Sequence, residues 1–200
     1  CNINKKKIIN KNFKNIKFNF KNEKIFFNQI KKIKPDIILN AAGFTDVKKC
    51  EKKKEMAKTA NFLILNPLIK ISNKFNIKLV QISTDHIFNG NKKGLYKEND
   101  KKIPINYYAK TKSEAEDNII KTCKKYLIIR TNFFGWGSPY RTSFTDYVIK
   151  NLSLKNNIYL NDDIFFTPMY LGNLIDCLNI LIIKNKNGIY NISSDKKISK

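Results

Sequence analysis

Three short apolar runs, each too brief for a helix and each leading into a small or polar segment, constrain this chain more than any other feature. They are residues 36–40 (DIILN), 78–82 (KLVQI) and 126–130 (YLIIR). Unbroken apolar runs of this length read as strands buried on both faces. Between them lie stretches with helical spacing: the lysine-rich residues 47–58, read as one helix; Leu65, Leu68, Ile69 and Ser72; and residues 106–121. Buried strands that alternate with helices need crossover connections, hence a parallel sheet covered on both faces. A strand at 16–20, a helix at 23–33, helices near 143–154 and 171–183 and a strand at 188–192 complete the expected α/β, doubly wound order. Pro67 falls inside the second helical stretch, so either Asn66 caps a new helix with Pro67 at its first position or the helix bends there.

Composition removes several function classes. In 200 residues, the longest apolar runs fall far short of the roughly 20 a spanning helix needs, so no membrane partner is expected. Lys5, Lys6 and Lys7 lead into polar, Asn-rich sequence, unlike a secretory signal. Cys1, Cys50, Cys123 and Cys177 are far apart and His86 is the single imidazole, which argues against a zinc site or a disulfide scaffold. The reading is a reduced, cytoplasmic chain without a metal. The net charge of +23 suggests nucleic acid at first sight. Yet Arg130 and Arg141 are the only arginines beside 37 lysines, and the lysines run end to end among 28 asparagines. This pattern fits an A+T-rich coding sequence better than a nucleic-acid partner, although a positive protein still attracts anionic ligands such as nucleotides.

Ligands of doubly wound sheets bind beyond the carboxyl ends of the strands. Those ends lead into NAAGFT (40–45), STDHIF (83–88) and TNFFGWG (131–137). Tyr108 and Lys112 stand four apart on the following helix, on one face. A phenol is a poor proton donor near neutrality, and a nearby ammonium favours its ionised form, so the pair suits a general acid. The spacing alone carries little, because chance supplies about as many Tyr-x-x-x-Lys pairs in a chain this rich in lysine. Its company is more specific: Thr84 offers a hydroxyl to the same carbonyl oxygen, Asp85 a carboxylate beside it, and Ala41, Ala42 and Gly43 leave room for a flat cofactor.

The segments PDIILNAAGFTDV, LVQISTDHIFNG, YAKTKSEAE and LIIRTNFFG, in this order, resemble the extended short-chain dehydrogenase/reductases. Within them they are most similar to sugar-nucleotide reductases of the dTDP-4-dehydrorhamnose reductase type. The resemblance runs from about residue 19 to 192 and implies a Rossmann-like core (1–134 and 171–192) with part of a small substrate-binding portion (135–170 and 193–200). It implies an NADPH- or NADH-dependent reduction of a nucleotide-linked 4-keto sugar, in deoxysugar and polysaccharide biosynthesis. Tyr108 would protonate the ketone, Lys112 would hold the cofactor ribose and lower the Tyr108 pKa, and Thr84 would position the carbonyl. Asn19, Phe20, Ala42, Gly43, Phe44 and Thr45, with Tyr108 and Lys112, would line the cofactor. Thr84, Asp85 and Phe133 would touch the nucleotide-sugar substrate. A homodimer is left open.

The chain also departs from that family. Its seven glycines never form G-x-x-G-x-x-G, and Cys1 stands about where the second strand should begin, so the expectation is a chain lacking the first βα unit. Asn19 and Asn22 stand where the family often has Asp, His86 replaces a usual Tyr, and Phe133 a usual Trp. Residues 162–168 (DDIFFTP) resemble the substrate-side segment, with simple packing as the plainer reading of the Phe pair. Two other functions stay open: a non-catalytic regulatory subunit on the same fold, and a nucleotide-sugar epimerase or dehydratase.

Overall fold

The computed structural model describes residues 22–138 and 142–199. The strand expected at 16–20, with Asn19 and Phe20, lies outside the described residues. Helix α1 (Glu23–Ile33) starts at Asn22, whose side chain accepts from the Ile25 N–H at 3.1 Å, and ends at Lys34 in the left-handed region (φ 51°). Strand β1 (Ile37–Asn40) follows.

The lysine-rich stretch expected as one helix is two. Helix α2 (Val47–Lys52), capped by Asp46, stops at Lys53 (φ −123°, ψ 60°), and α3 (Lys54–Lys58) resumes. A π-helical turn (Thr59–Leu63) then runs into α4 (Leu65–Phe75). Pro67 is the third residue of α4, within the first turn, where its missing N–H costs no helical bond. Asn66 does not cap this helix; its side chain accepts from Asn118 at 3.1 Å. Strand β2 (Lys78–Ile82) leads to a 3₁₀ turn (Asp85–Ile87), then α5 (Tyr107–Thr122) and β3 (Tyr126–Arg130). The remainder comprises β4 (Phe133–Phe134), α6 (Phe144–Ser153), β5 (Phe165–Phe166), β6 (Met169–Tyr170), α7 (Leu171–Ile183), β7 (Gly188–Asn191) and β8 (Ile198–Ser199). A reciprocal Ser143–Asp146 capping box opens α6.

The main sheet has the order β1-β2-β3-β7, with each neighbouring pair parallel. The pleat divides its side chains between two cores. Leu79 and Ile128 pack with Leu65, Leu68 and Ile119 beneath α4 and α5, whereas Val80, Leu127 and Ile129 pack with Leu174 and Leu178 beneath α7. Leu79, Val80, Leu127, Ile128 and Ile129 are fully buried. Each contributes roughly 1.5–3 kcal/mol of transfer free energy, so β2 and β3 form the rigid centre that carries the site. The expectation of full burial fails for β1: it is an edge strand among the described residues, and Leu39 is 49% exposed. Two small pairs lie outside this sheet, β4 with β6 in parallel and β5 with β8 antiparallel. Phe165 of the DDIFFTP segment remains 58% exposed in its pair.

Candidate active site

The three segments that follow β1, β2 and β3 leave the same end of the sheet, and α5 is fixed against them. Asn106 starts α5 by accepting from the Ala109 N–H at 2.8 Å, which places Tyr108 in the first turn and Lys112 one turn later. Both are nearly buried, at 8% and 5% exposure. The Tyr108 side chain lies close enough to Thr84 for the threonine hydroxyl to pull the phenol's pKa down. Thr84 Oγ1 also accepts from the His86 N–H at 3.2 Å, capping the 3₁₀ turn, and donates to Asp85 Oδ1 at 3.3 Å. Asp85 Oδ2 accepts from Asn132 Nδ2 at 3.2 Å, so one chain of polar contacts joins the ends of β2 and β3. The His86 ring meets Tyr108 edge-on, with centroids 5.8 Å apart.

Lys112 Nζ donates to the Ile82 carbonyl at 2.6 Å, which uses one of its three N–H donors. Burial drives its pKa down to about 8, against the opposing pull of the Glu116 carboxylate. Tyr108 moves the other way. Burial raises its pKa first, Asp85 and Cys50 add to the rise, and the Thr84 hydroxyl opposes it. The phenol therefore carries its proton at neutral pH. The expectation from the sequence is a lowered pKa; burial, the largest cause, raises it instead.

The loop after β1 is held by a residue that no motif singled out. Asn61, in the π-helical turn and 1% exposed, accepts from the Phe44 N–H at 2.7 Å, donates to the Phe44 carbonyl at 3.1 Å and donates to Thr111 Oγ1 at 3.0 Å. Cys50 Sγ donates to the same carbonyl at 3.1 Å, and Cys50 packs with Tyr108 and Ala57. Asn40 donates to Gln81 at 2.7 Å and accepts from the Ala42 N–H at 3.2 Å. Ala41, Ala42, Gly43 and Thr45 stay exposed, so this loop presents small side chains to solvent while its backbone is anchored from behind. A Cβ on Gly43 would stand 3.2 Å from Asn61 Oδ1. A small, anchored strip beside an ammonium with donors to spare fits the ribose side of a dinucleotide. Phe133 stands in β4, 49% exposed.

Asn22, one of the two asparagines expected to stand in place of Asp, serves as the cap of α1. Among the described residues no cluster of His, Cys, Asp and Glu could hold a metal ion, and no helix is long and apolar enough to cross a membrane.

Comparison with known proteins gives this geometry a family. A family model described as the RmlD substrate binding domain matches residues 4–200. The spore coat polysaccharide biosynthesis protein SpsK of Bacillus subtilis is 32% identical over 80% of this chain and 56% of its own. A dTDP-4-dehydrorhamnose reductase of Salmonella typhimurium is 30% identical over 79% of this chain and 52% of its own. The crystal structure of a dTDP-4-dehydrorhamnose reductase from Bacillus anthracis in complex with NADP superposes with a TM-score of 0.83 and 28% identity, over 89% of this chain and 63% of that one. The chain thus spans about half the length of the curated relatives it matches.

Proposed function

The chain belongs to the RmlD substrate binding domain family of extended short-chain dehydrogenase/reductases, and from that premise we propose that it carries the reducing site of an NADPH-dependent reductase of a nucleotide-linked 4-keto sugar. The observation that carries the reading is the approach of the Tyr108 side chain to Thr84 at the carboxyl end of β2, with the His86 ring edge-on against Tyr108. Two hydroxyl-bearing side chains set this close can share one carbonyl oxygen: Thr84 holds it, and Tyr108 gives it a proton. When bound, the reduced nicotinamide supplies the hydride that converts the carbonyl carbon to a secondary alcohol. Lys112, anchored through one N–H to Ile82, offers the other two to the cofactor ribose. Ala42, Gly43, Phe44 and Thr45 form the strip along which the cofactor lies. Asp85 and Phe133 face the sugar nucleotide, in a substrate-binding portion built from 135–170 and 193–200. The orientation of reactants and the supply of a proton are the protein's part in the rate. Substrates of this kind, with a soluble dinucleotide, place the reaction in the cytoplasm.

The test is absorbance at 340 nm with NADPH and dTDP-4-keto-6-deoxymannose. A steady loss of absorbance that Tyr108→Phe abolishes supports the reading. No loss with this or related nucleotide-linked keto sugars refutes it.

A further inference from the structure

Glu116 is completely buried, and the reaction proposed above gives it no task. It lies one helical turn beyond Lys112, as Lys112 lies one turn beyond Tyr108, so the three share a face of α5. Groups from three directions converge on its carboxylate. Ser83 Oγ donates to Oε1. The Arg130 fork reaches both oxygens, from Nε at 3.2 and 3.1 Å and from a terminal nitrogen at 2.8 Å. Lys102 Nζ stands 3.7 Å from Oε2. Arg130 extends the tie further by donating to the Glu98 carbonyl at 2.9 Å, while the Glu98 carboxylate accepts from the Asn191 N–H at 2.9 Å.

Two of these partners adjoin the site. Ser83 immediately precedes Thr84, and Arg130 precedes by two residues Asn132, whose side chain holds Asp85. A buried ion pair is a poor source of stability, since the desolvation of both charges offsets much of their attraction. Glu116 therefore calls for an account in terms of what it places.

The geometry points to Glu116 as a positioning residue of the reducing site: its carboxylate ties the ends of β2 and β3 to α5, so that Thr84 meets Tyr108. One turn along the same face of α5, it also sets a negative charge near the buried Lys112. This rests on the roles proposed above for Thr84, Tyr108 and Lys112. The charged groups around Glu116 are Arg130 from β3, Lys102 from the segment before α5, which also pairs with Asp117 at 2.6 Å, and Lys112 on α5; beyond Lys112 comes Tyr108, with His86, Asp85 and Cys50 around it. Glu116 is the one that opposes the effect of burial on Lys112.

The sign of the electrostatic effect is open to experiment. Activity that needs a charged Lys112 falls as pH rises through its pKa. Glu116→Gln keeps the shape and removes the charge, so the alkaline limb of kcat/KM should move to lower pH, by about one unit. Lys102→Gln removes a cation beside Glu116 and leaves its other bonds in place, so the limb should move to higher pH by a smaller amount. Direct titration of the Lys112 Nζ by NMR in lysine-labelled protein supplies a readout that needs no turnover. Opposite displacements in the two variants support the inference, and they do so even if no keto sugar is reduced, in which case the reductase reading alone falls. A Lys112 titration that stays put in Lys102→Gln and in any folded Glu116→Gln overturns the inference, whatever the activity.

Discussion

Lys112 reaches from α5 to the Ile82 carbonyl at the end of β2, 2.6 Å away, and shares that oxygen with Gln81 Nε2, which donates at 2.6 Å. The ammonium is thus fixed but poorly hydrated, with a pKa of about 8 in place of 10.5. Between these values the unfolded chain binds the additional proton, so this group makes stability rise with pH there; below pH 8 the cost of burying the charge is present in full. Lys112→Met should consequently raise Tm at pH 7, with a gain that shrinks towards pH 10, because Gln81 still satisfies the carbonyl. Thermal melts across this range check it. A lower Tm for the variant at pH 7 would contradict the burial argument.

The same ammonium sets an expectation for the wild type. Activity should decline on the alkaline side with an apparent pKa near 8, well below the range in which the Tyr108 phenol ionises, since burial holds that phenol above its usual value. A kcat/KM profile flat to pH 10 would show that the charge on Lys112 is not required.

Removal of the Tyr108 hydroxyl should lower kcat by about 10²–10⁴-fold while the fold and cofactor binding persist. Thr84→Val should lower kcat as well, and destabilise by about 1 kcal/mol, because the hydroxyl caps the 3₁₀ turn through the His86 N–H. Thr84→Ser keeps the cap and a hydroxyl beside Tyr108, so its rate should recover most of the loss. Stopped-flow reduction and thermal melts separate the two effects.

Asn61→Ala removes three hydrogen bonds made by a buried side chain, two to the Phe44 backbone and one to Thr111, and should cost about 2–4 kcal/mol. Its kinetic signature should be a raised KM for NADPH, as the strip from Ala42 to Thr45 loses its anchor. Gly43→Ala crowds the same Asn61 oxygen and should be mildly destabilising. In the Asn61→Ala background that cost should vanish, giving a coupling energy on the order of 1 kcal/mol in a denaturation cycle. Additive losses would place the strain elsewhere.

Much of this arrangement is legible in the chain. The runs DIILN, KLVQI and YLIIR become three neighbouring parallel strands because short, apolar, β-branched segments between helices have few other ways to bury both faces. Thr84, Asp85, Tyr108 and Lys112 are brought together because the end of β2 and the first turns of α5 are the places to which such a topology delivers side chains. The break at Lys53 was not legible, since a lysine carries no helix-stopping signal, nor was the exposure of Leu39, which depends on what lies beside an edge. Asn61 gave no signal at all among 28 asparagines, and its importance arises only when the π-helical turn meets the loop after β1. Glu116 stood in plain view in YAKTKSEAE, but its burial depends on a partner from β3.

That partner was marked by its rarity. In a chain whose basic positions are otherwise almost all lysine, the guanidinium of Arg130 spans Glu116, the Glu98 carbonyl and the Phe88 ring, 5.4 Å from its centre. A single ammonium has no flat fork to set across a carboxylate and no plane to lay on a ring. Surface water forgives the exchange of one cation for another, and drift in codon usage can run freely there. At position 130 the demand for shape halts it.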